Sequence, residues 1–105
     1  MKYIYTQRFQ NELLRVSDYI EDEFGKLYAV QFVVNVQKAI QRIVKNPEIA
    51  AREPLLADRQ TIIRSKIVSK HNKAVFYVKD DTVYFIDLWD IRREPTSLAK
   101  RIRKQ

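Results

Sequence analysis

The sequence predicts an α+β domain, and three observations carry that reading. Two adjacent segments place apolar residues at helical spacing, three later segments read as strands, the first of them alternating with period two, and the two kinds of segment are not interleaved. Segregation of this kind implies an antiparallel sheet with both helices on one face, a two-layer arrangement. With 105 residues the chain makes one domain, 1–105, with one modest core, so any functional site must sit on a single compact body.

Met1 to Tyr5 alternates as a short N-terminal strand, with Tyr3 and Tyr5 on one side, and Thr6 has the side chain of an N-cap. From Gln7 to Phe24 the residues Phe9, Leu13, Val16, Ile20 and Phe24 recur at spacings of three and four, a helical stripe that Leu14 and Tyr19 widen. Gly25, the only glycine, follows directly, where a helix end demands a left-handed backbone. Lys26 to Asn46 repeats the pattern with Ala29, Phe32, Val33, Val36, Ile40 and Ile43, and Pro47 stops it because the residue before proline disfavours helix. Two helices joined at one glycine make an antiparallel hairpin.

Residues 47–59 read as a connector with one helical turn, anchored by Ile49, Leu55 and Leu56 and broken by Pro54. Thr61 to Val68 is β-branched and alternating, with Ile63, Ser65 and Ile67 on one face and Ile62, Arg64, Lys66 and Val68 on the other. Lys73 to Val78 and Thr82 to Trp89 are two more strands, joined tightly through Lys79-Asp80-Asp81 into a three-stranded antiparallel meander. A basic tail, Leu98 to Lys104, reads as a short C-terminal helix capped by Thr96 or Ser97.

Composition narrows the function. A hydrophobic content of 46% with 31% charged residues is that of a folded chain. No cysteine is present, which removes thiol nucleophiles, thiolate metal sites and disulfides together. One glycine cannot build a phosphate loop, and one histidine without cysteine cannot complete a metal site, so neither a metal nor a cofactor is expected. The N-terminus has no secretory apolar run and no segment is long enough to span a bilayer, which reads as a cytoplasmic protein with no membrane partner. The net charge is +7 and is unevenly spread: residues 1–60 hold nine Lys/Arg against eight Asp/Glu, residues 61–105 eleven against five. A concentrated positive field attracts RNA, DNA or an acidic protein segment.

The strand, helical hairpin and meander, closing with Asp87-Leu88-Trp89-Asp90-Ile91-Arg92-Arg93-Glu94-Pro95, resemble the RelE/ParE superfamily over nearly the whole chain. The most specific parts are Ile62-Ile63-Arg64, the strand Lys73 to Val78 followed by an acidic turn, and the last strand ending in paired arginines. The resemblance implies a RelE/ParE-like toxin of a type II toxin–antitoxin system, of the plasmid-stabilisation kind, held inactive by a cognate antitoxin that covers its basic sheet face. Two activities exist within the superfamily. RelE-like members are endoribonucleases that cleave messenger RNA on the ribosome, whereas ParE-like members poison DNA gyrase and are not enzymes.

Cleavage by a 2′-hydroxyl needs a base for that hydroxyl, cations for the phosphorane and an acid for the leaving oxygen. The candidates are Arg64 and Lys66 projecting together from one strand, Lys70 and His71 in the next turn, Lys73 opening the following strand, and Arg92 and Arg93 after the last. The resemblance places Lys73 and Arg92 or Arg93 near phosphate-binding arginines of the nucleases, and Arg64, Lys66, Lys70, Lys73, Arg92 and Arg93 together are the candidate nucleic-acid contacts. Departing from the nucleases, the tail has no tyrosine, and Tyr77 and Tyr84 substitute only if they face the basic cluster.

Plainer readings compete at each position. His71, the natural acid or base near neutral pH, sits in the polar turn Ser69-Lys70-His71-Asn72, which favours a solvated turn residue. Arg64 and Lys66 also suit the solvent face of an edge strand. Arg92 and Arg93 have Asp87, Asp90 and Glu94 as ion-pair partners within reach, and Trp89 reads as core rather than as a base-stacking platform. Asp18, Glu21, Asp22 and Glu23 close the first helix, where the macrodipole disfavours negative charge. A nontoxic basic module that binds nucleic acid or protein is the alternative from another class, and pairing of two copies through apolar helical faces stays open.

Overall fold

The computed structural model describes residues 1–56, 60–93 and 95–103. In chain order the elements are β1 (Lys2–Tyr5), α1 (Gln7–Phe24), α2 (Lys26–Lys45), a 3-10 turn (Pro47–Ile49), β2 (Ala51–Arg52), a second 3-10 turn (Pro54–Leu56), β3 (Arg64–Ser69), β4 (Asn72–Lys79), β5 (Thr82–Asp90) and α3 (Pro95–Arg103). The strands form one sheet in the order β1-β5-β4-β3-β2, antiparallel except that β1 runs parallel to β5.

α1 begins where its sequence says it should. Thr6 Oγ1 accepts the Phe9 amide at 3.3 Å and itself donates to the Phe85 carbonyl at 2.9 Å, so the cap also ties the helix to β5. Phe9 is buried, and Leu13, Val16 and Ile20 pack beside it against the core. Phe24, Leu14 and Tyr19, expected on the same stripe, are exposed instead. All eight residues 21–28 are exposed, because the tip of the hairpin runs past the sheet and has nothing to pack on. From α2, the expected Ala29, Phe32, Val36, Ile40 and Ile43 are buried.

The α1–α2 junction is a single residue. Gly25 has φ +100° and ψ 166°, a region that a side chain makes costly, and it serves both as the C-cap of α1 and as the residue before α2. Its amide donates to the Glu21 carbonyl at 2.9 Å and its carbonyl accepts from Ala29 at 3.3 Å.

Three features differ from the reading of the sequence. β1 pairs parallel with β5, through Lys2↔Thr82 to Tyr5↔Phe85; alternation in a four-residue strand tells which side chains share a face, not which strand they adjoin. The connector holds two 3-10 turns and a two-residue strand that pairs with the start of β3 through Ala51↔Ser65 and Arg52↔Arg64. α3 starts at Pro95, ahead of Thr96 and Ser97, so neither precedes the helix as a cap; proline suits the first helical position because its missing N–H has no helical partner to lose. Glu94, an expected partner of the arginines, and Lys104, the expected end of the tail helix, lie outside the described residues.

Two clusters fill the interior, one on each side of the sheet. The α1–α2 hairpin packs on Val68, Ala74, Phe76, Val83, Phe85 and Leu88. On the opposite face, Leu98, Ala99 and Ile102 of α3 meet Leu56, Ile63, Val75, Ile86 and Trp89. Among the described residues no helix is long and apolar enough to cross a membrane.

The Gly25 backbone yields a direct test. Gly25→Ala should destabilise the fold by about 1–3 kcal/mol through backbone strain, since such φ/ψ values are close to glycine-only. A Cβ there would meet no atom within 4 Å, so crowding adds nothing. Urea unfolding measures the loss, and an unchanged midpoint would contradict the strain.

Candidate functional site

The basic candidates are distributed by strand register. Residues directly opposite on antiparallel neighbours share a face, and β3 aligns Arg64 with Phe76 and Lys66 with Ala74. Arg64 and Lys66 do project together, as their spacing requires, but on the face that carries the helical hairpin. Arg64 is half-buried, and its Nη1 donates to the Ala50 carbonyl at 2.8 Å, while Lys66 is exposed. Arg64 also lines a cavity of about 350 Å3 with Lys45, Glu48, Ile62 and Val78.

Lys73 lies on the other face, opposite Trp89 of β5. Its ammonium donates to Glu53 Oε2 at 2.8 Å, and Ser65 Oγ donates to the same oxygen at 2.7 Å. Glu53 is buried, at 5% exposure, so this pair joins the connector to β3 and β4 in a site that water barely reaches. Tyr77 and Tyr84 face the same way as Lys73, stacked across the two strands at 5.0 Å between centroids and 14° between planes.

Lys70 and His71 form the two-residue turn between β3 and β4, Lys70 exposed and His71 half-buried. The His71 carbonyl accepts the Ile91 amide at 2.8 Å, which brings the turn beside the exit of β5, and so Lys70, His71, Arg92 and Arg93 share one end of the sheet. Arg92 is clamped there: its Nε and Nη2 reach the two oxygens of Asp90 at 3.0 and 2.7 Å, and its amide donates to Asp90 Oδ1 at 2.9 Å. The Arg92 hydrogen bond holds the Asp90 carboxyl down to about 2. Arg93 is exposed, and its guanidinium lies 4.3 Å from the centroid of the Trp89 ring. Trp89 itself is buried in the second cluster.

A further charged group escaped sequence reasoning. Arg101 of α3 sends Nη2 to Glu12 Oε1 of α1 at 3.0 Å and to Asp87 Oδ1 of β5 at 3.1 Å, with the guanidinium carbon 5.5 Å from the Trp89 ring centroid. Asp87 is fully buried, and burial raises its carboxyl above the ordinary range despite the pull of Arg101. Burial pushes Glu12 the same way, but hydrogen bonds from Arg15 and Arg101 outweigh it and leave Glu12 lowered. A buried aspartate in a strand of apolar neighbours was the available signal, since such a group needs a cation. The cation stands 14 residues away, in the tail that reads only as a short basic helix, and nothing in the sequence ties it to Asp87.

Chemically, the cations do not converge on one point. Arg64 and Lys66 stand on one face, Lys73 on the other, and Lys70, His71, Arg92 and Arg93 at one end, with Lys73 and Arg92 each neutralised by a carboxylate. Such a surface suits electrostatic contact with an acidic partner better than in-line attack on a phosphate, which needs its groups within about 3 Å of the reacting atoms.

Two comparisons place the chain among known proteins. The family model described as the ParE toxin of type II toxin-antitoxin system, parDE, matches residues 3–95, ending where α3 begins. Among solved structures, a chain of the chromosomal ParDE TA system from P. aeruginosa aligns with a TM-score of 0.72 over 87% of this chain and 96% of that one. At 15% sequence identity this second likeness is one of fold. Comparison with curated protein sequences returned no match.

Two expectations follow from these ion pairs. Lys73→Ala should cost about 3 kcal/mol, because it strands the buried Glu53 carboxylate, and adding Glu53→Gln should recover part of the loss; a double-mutant cycle by chemical denaturation that shows no coupling would refute the pair. Asp90 titrates lower folded than its ordinary 3.8, so its contribution is present above that pH and fades as pH falls towards 2. Unfolding curves of Asp90→Asn should therefore lack the part of the acid-side loss that wild type shows between those values.

Proposed function

This chain belongs to the ParE toxin family of type II toxin–antitoxin systems, and on that premise we propose that it arrests growth by holding DNA gyrase rather than by cutting messenger RNA. The observation that supports this reading is the state of the positions that the superfamily resemblance links to phosphate binding, Lys73 and Arg92 or Arg93, of which only Arg93, lying over the Trp89 ring, is not held by a carboxylate among the described residues. Lys73 is engaged by buried Glu53, and Arg92 by both oxygens of Asp90. Freeing either cation for a phosphate means leaving a carboxylate unpaired, and for the buried Glu53 that cost is several kcal/mol. Arg64 and Lys66, the other cations in the nuclease reading, lie across the sheet from Lys73 and cannot close on the same phosphate.

In this reading the protein works in the cytoplasm, and its basic C-terminal half receives the acidic segment of the cognate antitoxin. The exposed cations Lys66, Lys70, Arg93 and Lys100 are available for that contact. Binding there is electrostatic and weakens with added salt.

Pulse labelling after controlled induction separates the possibilities, combined with a supercoiling assay using purified gyrase. DNA synthesis should stop first while translation continues, and the pure toxin should inhibit supercoiling. Immediate loss of translation with messenger RNA cut on ribosomes would replace this reading with the RelE-like one. Unaffected growth would favour a nontoxic binding module.

A further inference from the structure

The least explained surface is the tip of the helical hairpin. Phe24, Leu27 and Tyr28 are 63%, 78% and 64% exposed, and Tyr19 of α1 and Val30 of α2 are exposed as well. The Phe24 and Tyr28 rings lie 6.4 Å apart and touch each other across the Gly25 turn rather than the body of the protein. Contiguous exposed apolar groups on a small protein mark a surface that is covered when the protein works. The same turn carries Asp18, Glu21, Asp22 and Glu23 against the single Lys26. None of these four carboxylates makes an ion pair among the described residues, and no basic residue stands in the last turn of α1 to offset the unfavourable end of the helix dipole.

We propose that this acidic, aromatic tip is the surface by which the toxin docks on its target, seating Phe24, Leu27 and Tyr28 in an apolar recess on the cationic, DNA-contacting surface of gyrase. The choice of occupant follows from charge. A protein that handles DNA must offer cations to the phosphate backbone, and such a surface attracts the carboxylates of the tip as it attracts phosphates. An acidic antitoxin segment is repelled by the tip and drawn to the basic half of the chain. Two tips of identical chains repel each other for the same reason. Protrusion adds a steric argument: eight successive exposed residues held by two packed helices form a rigid wedge, and a few aromatic and aliphatic anchors in a recess carry most of the affinity of a protein interface. The division of labour is then simple, with the basic face for the antitoxin and the acidic tip for the target.

The inference rests on the gyrase reading, and the test separates the two. Two variants are made in the full chain, Leu27→Ser with Tyr28→Ser, and Glu21→Lys with Asp22→Lys and Glu23→Lys. All five positions are exposed, and added lysines suit a helix C-terminus, so both variants should melt close to wild type. Growth arrest on induction, affinity for purified host gyrase at low and high salt, and binding of the antitoxin encoded beside the toxin are measured for each. We expect antitoxin binding to be kept, arrest to be lost, and gyrase affinity to fall by about tenfold or more in each variant. Wild-type affinity should weaken with salt, and the lysine variant should lose that dependence.

Folded variants that arrest growth and bind gyrase as wild type does would sink the inference. So would loss of antitoxin binding with arrest intact, which would give the tip to the antitoxin. A wild-type dimer that both variants split while still arresting growth would give it to a second copy. Should wild-type toxin not bind gyrase, the gyrase reading and the named recess fall together, and loss of arrest in both variants would still assign target docking to the tip.

Discussion

One irregularity in β5 organises the molecule. Val75 of β4 pairs with Asp87 and Phe76 with Phe85, so Ile86 is an extra residue, a β-bulge in a strand flanked by β1 and β4. Before it, Val83 and Phe85 point to the helical hairpin and Tyr84 to the other side. Ile86 and Asp87 then fall on the same side, opposite the hairpin, after which Leu88 returns to the hairpin and Trp89 to α3. Without the extra residue Leu88 and Trp89 would exchange faces, because one step in a strand reverses every side chain. Trp89 would then intrude on the hairpin cluster, and α3 would lose the ring on which it rests.

The bulge also fixes the electrostatics. It turns Asp87 into the second cluster, where a lone carboxylate is untenable, and so α3 must supply Arg101 and α1 must accept a share of the same cation through Glu12. Three elements far apart in sequence are thereby tied at one point, with Asp87 Oδ2 and Arg101 Nε left without hydrogen-bond partners. The opposed shifts of the two carboxyls follow from their surroundings. Asp87 is buried and hydrogen-bonded by one guanidinium, whereas Glu12 is bonded by two arginines and meets more water. The basic half of the chain is therefore partly structural: Arg101, Lys73 and Arg92 balance carboxylates of the protein's own.

Much of this was legible in the sequence and the rest was not, for reasons that differ by residue. Phe9, Leu13, Val16, Ile20 and the α2 series were readable because helical periodicity registers burial directly, and Thr6 and Gly25 because caps have strict chemistry. The two faces of β3 also came out as alternation predicts. Phe24 misled, since periodicity cannot tell where the sheet beneath a helix ends. The bulge was invisible because the apolar run Thr82 to Trp89 fixes no alternation, and the extra residue shows only when β4 is laid beside it. The candidate site fared worse: the spacing of Arg64 and Lys66 places them together, but only strand pairing tells that Lys73 faces away from them, and only the connector's path brings Glu53 to Lys73.

The distribution of polar groups bears on what so small a fold can do. Assembling an active site for phosphate chemistry means holding several cations close together and partly dehydrated, which is unfavourable unless carboxylates lie between them. This chain has carboxylates beside its cations, but each holds one of them separately: Glu53 pairs with Lys73, Asp87 with Arg101 and Asp90 with Arg92. Its unengaged charge is on the outside, as scattered lysines on the C-terminal half and four carboxylates at the hairpin tip, and it is there, too, that its largest unpacked apolar side chains stand. Exposed aromatic surface costs solubility and does nothing for folding, so it is best accounted for by contacts with other proteins. In the reading proposed above, such a toxin acts through what it grips, and two opposite charge fields would let inhibitor and target be gripped at different places.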